Sequence, residues 1–88
     1  LKVKVLHTPG HSPGGICLYC GDHLFSGDTL FRFSIGRCDL PGGDFDTLIS
    51  SIREKLLGLP DHVQVFPGHG PFSTIGEEKL QNPYFRTS

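Results

Sequence analysis

His11, Asp28 and His69 are the residues of this chain best suited to chemistry. Each stands in a glycine-bracketed segment: Thr8-Pro9-Gly10-His11-Ser12-Pro13-Gly14-Gly15, Ser26-Gly27-Asp28-Thr29 and Pro67-Gly68-His69-Gly70. Imidazole and carboxylate are the side chains that hold zinc or iron at neutral pH. A neighbouring glycine lets the backbone turn tightly and approach a bound ion closely. Taken singly, each residue has a plainer reading. A histidine in a Gly/Pro loop is most often a surface residue, and Gly-Asp-Thr is often only a turn or a helix cap. Three such residues at strand-to-loop junctions point together to a metal site.

The elements that must position them follow from periodicity. Leu1 to Leu6 alternates as L-K-V-K-V-L, which predicts a strand with its lysines in water. The next segment, residues 7–15, holds two prolines and three glycines and reads as a loop. Ile16–Cys20 and His23–Ser26 around Gly21-Asp22 read as a β-hairpin. Residues 29–43 read as a long irregular stretch of the kind that usually carries function. Phe45, Leu48, Ile49, Ile52 and Leu56 recur at helical spacing, with Asp44 or Asp46 as cap and Gly58 and Pro60 as stop. Val63–Phe66 reads as a short strand, and Glu77–Gln81 as a short helix before Asn82-Pro83. The three candidate ligands thus fall at strand ends, where open sheets do their chemistry.

Size and charge narrow the field. A chain of 88 residues makes one small domain. A domain of this size buries only about 60–65% of its unfolded surface and is marginal without a metal, disulfides or a partner surface. The net charge of −1 offers no electrostatic case for nucleic acid or an anionic membrane. No apolar run approaches the roughly 20 residues of a membrane helix, and no signal-peptide pattern is visible. The chain opens at Leu1 directly in a strand pattern rather than with methionine, so a fragment is expected. Of the three cysteines, Cys17 and Cys20 form a C-x-x-C inside a strand, where they point to opposite faces. Free thiols, and with them a reducing cytoplasm, are the expectation.

T-P-G-H-S-P-G-G resembles the third metal motif of the metallo-β-lactamase superfamily, L-F-S-G-D-T-L-F the fourth and P-G-H-G the fifth. Their order matches, as do the separations of 17 positions from His11 to Asp28 and 41 to His69. The superfamily's first motif, His-x-His-x-Asp-His, is absent. S-I-G-R-C-D-L-P-G-G-D and G-H-G-P-F-S-T-I-G-E-E-K-L-Q-N-P-Y are similar to the short bacterial forms of glyoxalase II-like (hydroxyacylglutathione hydrolase-like) enzymes. The resemblance implies an α/β fold, with residues 1–88 as the C-terminal half of a four-layer αβ/βα sandwich. Its sheet would be mixed or mostly antiparallel, with flanking helices. It further implies that His11 binds a first metal, Asp28 bridges two metals and His69 binds the second. The other four ligands would come from the missing N-terminal half. The implied cofactor is a pair of zinc ions, with iron or manganese as alternatives. Such a pair would lower the pKa of a shared water far below that of bulk water, to about 7, and the resemblance implies that the resulting hydroxide attacks a thioester or ester carbonyl.

Arg37 is the candidate for gripping an acidic group of a small-molecule substrate, against the plainer reading of a solvated arginine. Glyoxalase II proper tends to carry Gly-Lys-Phe-Tyr where this chain has Gly36-Arg37-Cys38-Asp39, so the glutathione-contacting tyrosine is missing. His23 and His62 lie off the motifs and read as surface residues; His7 is either that or a support for a ligand. Lys79, Asn82 and Tyr84 are expected to pack the terminus. Two alternatives stand beside the hydrolase. Persulfide dioxygenases of the same fold share Gly-Arg-x-Asp and bind one iron, but their fifth motif looks more like P-A-H-D-Y. A non-catalytic half-domain would lack thioester hydrolysis and would dimerise, aggregate or stay partly molten. In it, His11, Asp28 and His69 together would hold one zinc weakly.

Overall fold

The computed structural model of the chain describes residues 2–39 and 41–85. Leu1, where the first strand was expected to begin, and Leu40, in the long loop, lie outside the described residues. In chain order the elements are β1 (Lys4–His7), β2 (Ile16–Cys20), β3 (His23–Gly27), β4 (Leu30–Phe31), β5 (Ser34–Ile35), α1 (Phe45–Lys55), β6 (Gln64–Pro67), β7 (Ser73–Thr74) and α2 (Ile75–Gln81). Five strands make a mixed sheet of order β1-β2-β3-β6-β7, and β4 and β5 pair as a separate ribbon. All neighbours in the main sheet are antiparallel except β3 and β6, which run parallel. The expected α/β class with a mixed sheet and flanking helices is therefore what forms.

Strand alternation sets which side is covered. The register aligns Leu6 with Cys17, Tyr19 with Leu24, and Leu24 with Val65, so these side chains share one face. Leu48, Ile52 and Leu56 of the α1 region, together with Ile75 of α2, close over that face and form one core with Leu6, Cys17, Leu24 and Val65. Helix α1 begins where an acceptor is available: Asp44 is extended and its carboxylate accepts from Thr47 N at 3.0 Å. Arg53 and Lys55 in its last turn complement the helix dipole.

Several boundaries depart from expectation, each through a long-range partner. The first strand runs Lys4–His7, because β2 offers partners only from Tyr19 back to Ile16. The supposedly irregular stretch contains the β4–β5 hairpin. The strand expected at Val63–Phe66 is shifted by one, and Ser73–Thr74 adds an unforeseen edge strand to it. Helix α2 starts at Ile75 rather than Glu77 because Thr74 caps it, accepting from Glu77 N at 3.1 Å.

Candidate metal centre

β1 is antiparallel to β2, and β2 to β3, while β3 is parallel to β6. β1, β3 and β6 therefore point the same way, and His11, Asp28 and His69 lie in the segments that leave their C-terminal ends. The sheet gathers residues 58 positions apart onto one rim. The backbone of Gly68 donates to Gly27 O at 2.8 Å, tying the Asp28 and His69 segments together at their first step off the sheet.

His11 Nε2 lies 3.8 Å from Asp28 Oδ2, and His69 Nδ1 lies 3.8 Å from Asp28 Oδ1. Neither distance is a hydrogen bond. Two atoms that each bond one zinc at about 2.0–2.2 Å lie no more than about 4.2 Å apart, so both separations suit a shared ion. Each imidazole addresses a different oxygen of the same carboxylate. Among the described residues no three His, Cys, Asp or Glu side chains are drawn together tightly enough to form a ready single-ion site. Asp28 stands between the two imidazoles, one carboxylate oxygen toward each.

His11 is held in one tautomer. Its Nδ1 lies 2.8 Å from the carbonyl oxygen of Arg37, which can only accept. Nδ1 therefore carries the proton, and the lone pair of Nε2 faces Asp28. Helix α1 fixes the loop that carries His11: Ser51 Oγ donates to Pro9 O at 2.8 Å, and Asp44 N donates to Gly10 O at 2.7 Å. Gly10 has φ 139°, and a Cβ there would lie 2.3 Å from Leu48 Cα, so only glycine allows the helix this close. Gly36 is required for a similar reason, since its Cβ would lie 1.8 Å from the Asp28 carbonyl oxygen. Buried Thr8 and Thr29 link the two loops through a 3.3 Å hydroxyl contact.

A cavity of about 330 Å³ is lined by His11, Asp28, Phe31, Ile35, Arg37 and His69. The Phe31 ring lies 4.9 Å from the His69 ring, centroid to centroid. Side-chain exposures of 30%, 54% and 78% for His11, Asp28 and His69 leave all three accessible for further ligands. Arg37 is at the cavity wall, but its guanidinium is already engaged with Asp39, at 2.8 and 3.1 Å. Those hydrogen bonds hold the Asp39 carboxyl below its ordinary value, so a substrate anion would have to displace a ready carboxylate. A larger cleft of about 490 Å³ shares Ile35 and Arg37 and extends the cavity past Cys38 to Phe45 and Tyr84.

The remaining histidines stay outside the cavity lining. His7 is exposed and bonds Pro13 O at 3.1 Å, and His62 pairs with Asp22 at 3.0 Å. His23 is exposed as expected, with its ring 5.5 Å from that of Phe66. Lys79 ties the last helix to Asp61 at 2.7 Å, Asn82 is fully buried, and Tyr84 packs 6.1 Å from Phe45. Sequence reasoning missed Phe31 and Ile35 because their strands are only two residues long. It missed the Arg37 carbonyl because a backbone acceptor leaves no mark in side-chain type.

The sequence model of the metallo-beta-lactamase superfamily matches residues 1–69. The chain is 49% identical to the hydroxyacylglutathione hydrolase GloC of Haemophilus influenzae over 86 residues, which is 96% of this chain and 41% of that protein. It superposes on the BLEG-1 B3 metallo-beta-lactamase with a TM-score of 0.92 at 50% identity, covering 97% of this chain and 42% of the other. On TTHA1623 in a di-iron-bound form the TM-score is 0.90 at 50% identity, covering 94% and 42%. The chain thus spans about two fifths of the length of the proteins it matches.

Proposed function

The chain belongs to the metallo-beta-lactamase superfamily, and from that premise we propose that it is the C-terminal part of a metal-dependent hydrolase of thioesters or esters. The observation that carries this reading is the carboxylate of Asp28, whose two oxygens each face a different imidazole nitrogen at 3.8 Å. That is the arrangement a bridging ligand needs, with His11 serving one ion and His69 the other. Two ions held there would supply the nucleophile at neutral pH and polarise the carbonyl. The chain's own residues do the placing. The Arg37 carbonyl keeps the proton on His11 Nδ1 so that Nε2 is free to ligate. Phe31 fills the space beside His69, and Ile35 gives the cavity an apolar wall. A thiolate leaves with little need of protonation, so a thioester requires no dedicated general acid from this site. The similarity to the Haemophilus hydroxyacylglutathione hydrolase supports the same class.

The remaining ligands belong to the part of the fold that the relatives have and this chain does not span. We assign that part, an apolar sheet, to the open face of the main sheet. Val5, Phe25 and Phe72 stand exposed there, and Phe66 is ring-packed between Phe25 and Phe72. Three free cysteines support a reducing cytoplasm as the setting. No helix among the described residues is long and apolar enough to cross a membrane.

The test joins this chain to the N-terminal part of the Haemophilus relative, in place of the matching region. The joined protein is expected to carry two ions per chain and to hydrolyse a thioester, while residues 1–88 alone do not. Asp28→Asn should empty both positions, and His11→Ala or His69→Ala only one each. Each loss should lower kcat/KM by more than the roughly 10–100-fold that removing a residue behind a ligand costs. A single iron with oxygen uptake on a persulfide would sink the hydrolase reading.

A further inference from the structure

Glu78 is a fully buried carboxylate that the proposed reaction does not use. Its partners are all donors: Phe33 N–H at 3.1 and 3.3 Å, Ser73 Oγ–H at 2.6 Å and Asn82 Nδ2–H at 2.8 Å. None of the ion pairs among the described residues involves it. Burying a carboxylate without a cation is unfavourable, and an apolar side chain would serve helix packing better. What the carboxylate gains is the backbone of Phe33. That residue has φ 59°, the one positive φ among the described non-glycine residues. A bulky side chain stays in that region only when its surroundings hold it there. Asn82, also fully buried, donates to the next residue's carbonyl, Ser34 O, at 3.1 Å.

The turn so held is the tip of the β4–β5 hairpin, and the hairpin with the two residues that follow it reaches every candidate ligand. Phe31 on its first strand packs on His69. Gly36, directly after its second strand, donates to Thr29 O at 3.0 Å and lies against the Asp28 backbone. The carbonyl oxygen of Arg37, one residue further, accepts a hydrogen bond from His11 Nδ1–H at 2.8 Å. We propose that Glu78 and Asn82 are positioning residues for the metal centre, gripping the Arg32-Phe33 turn from behind so that the hairpin holds His11, Asp28 and His69 in register. The proposal rests on the reading of those three as ligands, and it deepens that reading. Side chains of the last helix and its C-cap, 45 and 48 residues from their partners in the turn, thereby set the tautomer of one ligand and the ring position of another.

The experiment uses the joined protein described above and the isosteric variant Glu78→Gln, which keeps the volume and replaces one of the two acceptor oxygens with a donor amide. Far-ultraviolet circular dichroism is expected to stay unchanged. Long-range proton–nitrogen NMR of the metal-free protein should show His11 passing from the single Nδ1–H tautomer to a mixture. Zinc binding should weaken by roughly 10–100-fold. Adding Phe33→Gly should recover the single tautomer, because glycine adopts φ 59° without a clamp. A folded Glu78→Gln protein with one His11 tautomer and parental zinc affinity overturns the proposal, as does a double variant no better than the single one. Should Glu78→Gln alone fail to fold, the double variant decides: a folded protein with the single tautomer supports the clamp, and an unfolded one refutes it. The NMR readout needs neither metal nor substrate. The hydrolase reading fails separately, if the unsubstituted joined protein binds no metal.

Discussion

Leu24 and Phe25 are consecutive on β3 and look in opposite directions: Leu24 is fully buried, while Phe25 is 49% exposed. The whole sheet divides in the same way. On one face Leu6, Cys17, Leu24 and Val65 lie under α1 and α2. On the other, Val5, Phe25 and Phe72 are open, and the rings of Phe25, Phe66 and Phe72 follow one another at 5.6 and 5.5 Å. Both faces carry apolar side chains, yet among the described residues only one is covered. A sheet that is solvated on one side normally alternates apolar with polar, and this one does so only in part. On the reading proposed above, the second apolar face is the one the rest of the fold would cover. The candidate ligands sit at the rim between the faces, which is why they are half walled and half open.

The contrast can be broken most sharply by substituting those two neighbours. Leu24→Ala is expected to cost about 2–5 kcal/mol wherever the chain is studied, because it leaves a cavity under α1. Phe25→Ala should cost about 3–5 kcal/mol only in the joined protein, and within about 0.5 kcal/mol of nothing in residues 1–88 alone. Urea unfolding of both proteins measures the pair. An equal cost for Phe25→Ala in the two settings would show that the open face is not a second core.

A smaller effect concerns association. Residues 1–88 alone should self-associate through the uncovered rings, and Phe25→Lys with Phe72→Lys should shift the sedimentation profile toward monomer. An unchanged profile would place the contact elsewhere. The smallest effect lies in the thiols. Cys17 is on the covered face, and burial pushes its thiol above the ordinary value of 9.0. Cys20, three residues on and half-buried, is on the other face. Iodoacetamide at pH 8 should modify Cys20 in the chain alone, spare it in the joined protein, and spare Cys17 in both. The sign for stability follows from the raised value. The contribution of Cys17 is complete below pH 9.0 and is lost as pH climbs through its folded-state value, so only alkaline solution should reveal it.

Much of the covered core was legible. The helical spacing of Leu48, Ile52 and Leu56 and the cap at Asp44 appear where periodicity and capping chemistry put them. β2 spans Ile16–Cys20 as expected, and the turn at Gly21-Asp22 joins it to β3. The β4–β5 hairpin was not legible, since two-residue strands show no period and its turn carries phenylalanine where glycine or asparagine would announce a positive φ. Nor could Glu78 be recognised as a core residue. A glutamate in a short helix reads as solvent-facing, and only a partner 45 residues away reverses that.

Residue types and local spacing by themselves determined where histidine and aspartate stand at strand ends and which segments turn tightly beside them. They also determined the superfamily, because those motifs are local. Tertiary structure alone decided that β1, β3 and β6 point the same way, that each oxygen of Asp28 faces its own imidazole at 3.8 Å, and that Arg37 acts on His11 through its carbonyl. The reason lies in the kind of interaction. Propensity and turn chemistry act over a few residues, whereas the parallel pairing of β3 with β6 needs a long crossover, which here runs through a hairpin and a helix.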